Sequence, residues 1–316
     1  MPPPPASLAV PATIDATGKT DVAATLNAWI ATVSNGSTIT FPPGSTYLLS
    51  QGIQLSGRSN LTFAGNGATL KATPTSGSGQ LASLFVLGHR YGGSWSGTDT
   101  GITIHDFTLV GSEPNPGVFV SGSESQHGVE VEDSTNVTLY NLTIRGVWGD
   151  GIKVGGNTTN GVTFRYSTVE SAGRNGVTVT AGSNVTVQLV NFVKSGYCVL
   201  DLEPNYATEA ISGVTFAGNS AGSWGNIFFA ADGVAGSSIG HVTVSGNTIT
   251  GGTLSTDVTL ARRAAITFTN NTSTIAGAGP VLRFAHVDGL TVTGNVQPLT
   301  SGALASITDS TGVVGP

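Results

Sequence analysis

The run DLEPN at 201–205 carries Asp201 and Glu203 two residues apart. On a strand both side chains would leave the same face, with Cα atoms about 6.6 Å apart. HGVEVE at 127–132 repeats the arrangement with Glu130 and Glu132, and GDGIKV at 149–154 adds Asp150 and Lys153. Arg174 precedes a further run of this kind, NGVTVT at 175–180. Glycoside hydrolysis needs two carboxyl groups roughly 5–5.5 or 6.5–9.5 Å apart, according to its stereochemical outcome. Burial and a neighbour's charge would keep one of them protonated. The rival chemistry is β-elimination on a uronate, with Lys153 or Arg174 as base. Glu130, Asp150 and Asp201 would then hold Ca²⁺, whereas hydrolysis requires no cofactor. The catalytic candidates are therefore Asp150, Lys153, Arg174, Asp201 and Glu203. The structural alternative is that these charges only pair with one another.

The elements that must position these groups are short strands. The runs align by their aliphatic residues, so that Val129, Ile152, Val177 and Leu200 form one inward stack, and Val131, Val154, Val179 and Leu202 a second. NIFFA at 226–230 is expected to continue them with Ile227 and Phe229. The outward rows are then Glu130, Lys153, Thr178, Asp201 and Phe228, and Glu132, Gly155, Thr180, Glu203 and Ala230. His127, Asp150 and Asn175 stand where the strands begin. Adjacent strands lie about 4.8 Å apart, which places Lys153 beside Glu130 and Asp150 between His127 and Arg174. Residues 130–203 hold twelve of the thirty charged residues, so the charges concentrate on this face. His127, Glu130, Glu132 and the aromatics Trp148, Tyr197, Trp224 and Phe228 are candidates for binding substrate, because aromatic faces stack on sugar rings. The excursions 74–100, with His89, Arg90, Tyr91 and Trp95, and 112–126 would wall a groove.

A second pattern sets the architecture. An aliphatic residue, Thr and an apolar residue recur as LTF 61–63, ITI 102–104, VTL 137–139, VTF 162–164, VTV 185–187, VTF 214–216, VTV 242–244, ITF 266–268 and LTV 290–292. From the third copy the spacing is 23–29 residues, a solenoid coil that cannot bury its inner face without neighbours. Asn66, Asn219, Asn247, Asn271 and Asn295 follow five of the copies, as a stacked turn column with left-handed backbone would require. Val22, Leu26, Trp29, Ile30 and Val33 share one helical face, which predicts a helix over 20–33 with Thr20 as N-cap, covering the open end of the solenoid. The expected layout is one all-β domain over 1–316. It has a Pro-rich start (1–12), the capping helix, about 9–11 coils over 37–300, and a tail over 301–316.

Composition narrows the function. Only 9% of the residues are charged, against about a quarter in an average protein, and the net charge is −6. Solubility then rests on Ser, Thr, Asn and Gly, as suits an extracellular β protein. No basic stripe points to nucleic acid, and the apolar runs are too short for a membrane span. The lone Cys198 excludes an internal disulfide. The start, MPPPPASLAVPAT, lacks the regions of a signal peptide, so secretion is expected of a trimmed chain.

IDATGKTDVAATLNAWIATV followed by STITFPPGSTYLL resembles the opening segment of the pectate-lyase superfamily. The resemblance implies a right-handed parallel β-helix whose usual substrate groove lies on the face just before the VTF-like strand. That superfamily hosts lyases, glycosidases, epimerases and phage tailspikes, so fold alone does not choose among reactions. Three functions stand: a secreted polysaccharide hydrolase, a Ca²⁺-dependent polysaccharide lyase, and a tailspike- or adhesin-like glycan binder. In each the partner is a polysaccharide or oligosaccharide, taken up by a monomer or a trimer.

Overall fold

In the computed structural model, which describes residues 6–74, 83–89 and 97–316, the chain winds as an all-β parallel solenoid of about eleven turns. The nine Thr-centred triplets lie in one register. Leu61, Ile102, Val137, Val162, Val185, Val214, Val242, Ile266 and Leu290 stand level across an 18-stranded sheet. All nine are essentially inaccessible to solvent. Their alternation with polar neighbours drives the chain into this arrangement, because a one-residue slip would turn every aliphatic outward.

A second, 10-stranded parallel sheet carries the charges. Its strands, in chain order, are β1 (Ile53–Gln54), β2 (Phe85–Leu87), β3 (Val129–Glu132), β4 (Ile152–Gly155), β5 (Val177–Val179), β6 (Leu200–Leu202), β7 (Phe229–Ala231), β8 (Thr256–Val258), β9 (Leu282–Ala285) and β10 (Ala305–Thr308). From β3 to β6 the expected stacks form: Val129, Ile152, Val177 and Leu200 are level, as are Val131, Val154, Val179 and Leu202.

The step from β6 to β7 departs from the expected register. Leu200 pairs with Phe229 and Leu202 with Ala231, so Ile227 and Phe228 precede the stack. The physical reason is the loop after Glu203, which lengthens this coil. The Val185-to-Val214 step of 29 residues already contains that loop, and adding 29 to Leu200 gives Phe229. Strands also continue beyond residue 300. Leu299–Ser301 pairs with Gly277–Ala278, and β10 pairs with β9, where a tail was expected.

The helix, α1, spans Ala23–Thr32. Thr20 lies in the strand Thr17–Asp21 and does not cap it; the N-cap is Val22, and the Asp21 carboxylate accepts the Ala23 N–H at 3.0 Å. Leu26 and Ile30 are buried. Asn27 acts as a substitute strand against β1: its amide donates to the Gly52 carbonyl at 2.9 Å and accepts the Gln54 N–H at 2.9 Å. The exposed sheet edge is thereby paired.

The asparagine column runs through Asn219, Asn247, Asn271 and Asn295, each amide bonded to the next at 2.8–3.1 Å. Asn66 stands apart and donates to the Phe41 carbonyl. The left-handed positions are Asn66 itself and, at the column, the preceding residues Gly218, Gly246, Asn270 and Gly294. The column asparagines are thus side-chain braces rather than turn formers. Among the described residues no helix is long and apolar enough to cross a membrane.

Candidate functional site

The outward face of β3 to β8 forms a groove with two connected clefts. The first, of about 490 Å³, is lined by His127, Glu130, Lys153, Arg174, Tyr197 and Glu203 among others. The second, of about 420 Å³, shares Tyr197, Glu203 and Asn205 with it and adds Asp201, Asn226, Asp232 and Asp257.

At the N-terminal side Lys153 is level with Glu130, as its spacing predicts. Its ammonium bonds to the Glu132 carboxylate and lies 3.6 Å from Glu130. All three side chains are nearly buried. Glu130 also accepts the Ser83 hydroxyl at 2.9 Å. Burial works against the Lys153 charge, but Glu132 and Glu130 outweigh it and raise its pKa. Burial pushes the Glu132 carboxyl up, against the pull of Lys153. Gly155 makes this pair possible, because a Cβ there would meet the Glu132 carboxylate at 2.4 Å.

Behind the next strands His127, Asp150 and Asn175 stack where the strands begin. The Asp150 N–H donates to His127 Nδ1 at 2.9 Å, and the Asn175 N–H donates to Asp150 Oδ1 at 3.1 Å. Asp150 is 0% exposed and lies beneath the groove surface. Burial pushes its carboxyl up, yet Arg174 and His127 prevail and hold it at about 2. Asp150, expected among the catalytic candidates, is thus sealed below the groove surface against Arg174 and His127. Arg174 rises between the clefts: its Nε lies 3.8 Å from Asp150, and Nη2 bonds to Glu203 and lies 4.0 Å from Asp201. Burial opposes its charge, but Asp150 and Asp201 raise its pKa.

Asp201, like Glu132, has its carboxyl pushed up by burial. It is 6% exposed and accepts one bond, from Asn175 Nδ2 at 3.2 Å. Burial, helped by the charge of Asp150, pushes its carboxyl up to about 7 despite Arg174.

The aromatics divide. Tyr197 lines both clefts, and its ring lies 5.1 Å from that of Phe119. Phe119 belongs to the 112–126 excursion, which does wall the groove. Buried Glu113 holds that loop by accepting the N–H groups of Gly117 and Val118. Trp148 is buried behind it, its indole donating to Ser112 Oγ at 3.1 Å. Phe228 is fully buried, and Trp224 packs 5.7 Å from it, lining with Lys194 and Ser195 a third cleft that shares Phe119 with the first. Trp148 and Phe228 therefore do not line the two clefts, and Trp224 lines the adjoining one. In the other excursion His89 meets Asp133 at 3.1 Å, while Arg90, Tyr91 and Trp95 lie outside the described residues.

The sequence reading missed Asp232 and Asp257 because the β6-to-β7 step was misjudged. In the observed register Asp201 is level with Ala230 and Asp257, and Asp232 follows Ala231, the last residue paired with Leu202. Among the described residues no three carboxylate or imidazole groups converge on a point that would hold a metal. Glu130 faces Lys153, Asp150 faces His127 and Arg174, and Asp201 faces Arg174 and Asn175. The donor set expected for Ca²⁺ does not fit.

A family model described as a right-handed β-helix region matches residues 35–207 and 127–297. No curated protein matches the chain. A family 28 exopolygalacturonase of Yersinia enterocolitica superposes with a TM-score of 0.66 at 13% identity, over 98% of this chain and 78% of its own. A tailspike protein of an E. coli bacteriophage, solved with a pentasaccharide, gives 0.60 at 16% identity, over 99% of this chain and 66% of its own. The A-module of a mannuronan C-5 epimerase of Azotobacter vinelandii gives 0.56 at 13%, over 95% of each. At these identities the likeness shows the fold.

Proposed function

The chain belongs to the right-handed β-helix family, and on that scaffold we propose that it is an extracellular enzyme that hydrolyses a glycosidic bond of a polysaccharide or oligosaccharide in the groove, with Asp201 as proton donor. The observation that carries this reading is the state of Asp201. It is a nearly buried carboxyl in a cleft, held protonated up to about pH 7 by burial and by Asp150. A glycosidase acid must hold its proton at working pH, release it to the leaving oxygen, and stand near a carboxylate that stays ionised. Tyr197 and Phe119 offer a ring surface beside it, suited to stacking on a pyranose.

Elimination is less well supported. A base must be able to take a proton, but Lys153 and Arg174 are held protonated by buried carboxylates. The structural neighbours named above include an exopolygalacturonase, a mannuronan epimerase and a tailspike bound to a pentasaccharide, which favours a saccharide ligand.

The test is incubation with a panel of neutral, amino-sugar and uronate polysaccharides, with and without EDTA. New reducing ends, unaffected by EDTA and without the ultraviolet absorbance of an unsaturated product, are expected. Unsaturated products would establish a lyase instead. Tight glycan binding with no cleavage would establish a binder.

A further inference from the structure

We propose that Asp232 is the base that activates water opposite Asp201, and that cleavage consequently inverts the anomeric centre. This rests on the hydrolase reading above and names the second carboxylate that it needs.

The nearest partner in sequence, Glu203, is engaged by the Arg174 guanidinium. Asp232 is not: one oxygen accepts the backbone N–H groups of Thr259 and Leu260, both at 3.3 Å. Its other oxygen has no hydrogen bond among the described residues, and the side chain lines the same cleft as Asp201. Two amide donors from the next coil fix the carboxylate and leave one lone-pair edge for a water.

A second group holds the segment from behind. Arg263 is 1% exposed, yet Nε donates to the Ala231 carbonyl at 3.3 Å and Nη1 to the Ser237 carbonyl at 2.9 Å. Its Nη2 has no hydrogen-bond partner among the described residues. A buried guanidinium with an orphan donor is costly. Here it clamps both ends of the 231–237 loop that presents Asp232, and it is a positioning residue.

The register gives the separation. Asp201 is level with Ala230, so Asp232 stands one coil over and two residues on. Strand spacing and rise put their Cα atoms about 8 Å apart. Both side chains line the second cleft, and carboxyl groups carried at that spacing can take up the separation of roughly 6.5–9.5 Å that admits a water between them, the arrangement of inverting enzymes. In the step, the Asp201 proton passes to the glycosidic oxygen as the C–O bond breaks and the leaving sugar departs as an alcohol. Water adds to the anomeric carbon from the opposite side and gives its proton to Asp232. Solvent then returns a proton to Asp201 and removes one from Asp232.

The experiment compares wild type, Asp232→Asn, Asp232→Glu and Asp201→Asn on the substrate found by the panel, and follows the first-formed anomer by proton NMR. Inversion is expected in the wild type. Asp232→Asn should lower kcat about 10²–10⁴-fold with KM little changed, Asp232→Glu should restore part of it, and the acidic limb of the pH profile should vanish in Asp232→Asn. Retention of configuration, or Asp232→Asn within a few-fold of wild type while Asp201→Asn is inactive, would overturn the assignment and leave the hydrolase reading standing. A wild type that cleaves nothing in the panel would overturn both.

Discussion

Around Lys153 and around Asp201 the same sheet face carries acids on neighbouring coils, yet the two regions hold their charges in opposite ways. Glu130, Lys153 and Glu132 form a closed buried set in which each charge has an opposite neighbour. Two coils on, Asp201 shares a single guanidinium with Glu203 and Asp150, and Asp232 and Asp257 line the same cleft, Asp257 lying 3.7 Å from Arg283. The first region sets one ammonium in direct contact with two carboxylates, and the second sets Asp150 and Asp201, one carboxyl lowered and one raised, around one guanidinium. Position on the solenoid is shared; how closely each carboxyl meets its cation separates the two regions, Glu132 bonding to Lys153 and Asp201 lying 4.0 Å from Arg174.

Removing the proton donor should separate the two regions most sharply. Asp201→Asn is expected to cut kcat by about 10²–10⁴-fold without loss of the fold, checked by steady-state kinetics and far-UV circular dichroism. Equal activity in variant and wild type would erase the distinction. Breaking the buried set should act on stability instead. Lys153→Met leaves two buried carboxylates without their cation and should cost on the order of 3–5 kcal/mol in denaturant unfolding. A small loss there would mean that the pair braces little.

The brace outside the groove gives a smaller effect. Asn247→Ala removes the amide that bonds Asn219, Asn271 and the Phe216 carbonyl. Leaving such buried groups unpaired should cost about 1–3 kcal/mol, with activity unchanged. The pH dependence is the finest probe. Asp201 has its pKa raised from 3.8 to about 7, so its contribution is fully present below 3.8 and is lost as pH rises through about 7. Asp150 is lowered from 3.8 to about 2, so its contribution is present above 3.8 and lost as pH falls through about 2. Asp201→Asn should therefore flatten the fall in unfolding free energy between pH 4 and about 7 and leave the acid-side fall intact. An unchanged slope would show that Asp201 ionises normally.

Much of the solenoid was legible because its signal is periodic. Val129 through Leu200 and the nine triplets repeat a two-residue alternation at coil intervals, and burial leaves only one register that keeps them inward. Lys153 beside Glu130, and Asp150 between His127 and Arg174, followed from that register. Three things did not follow. Trp148 and Trp224 are placed by loops with no period to read. Asp232 was hidden by the longer coil after Glu203, although the 29-residue triplet spacing recorded the lengthening. Asp150 reads as a groove acid until its depth is known.

By itself, then, the sequence determined the coil, the inward stacks, and the rows on which Glu130, Lys153, Asp201 and Glu203 stand, because apolar periodicity is a one-dimensional property that burial converts directly into register. The tertiary structure alone decided which of those charges are sealed and which face a cleft. Protonation depends on desolvation and on every charge within a few ångströms, and those neighbours come from coils 23–29 residues away. That is why Asp150 and Asp201, two aspartates on nearby coils, are held at about 2 and about 7.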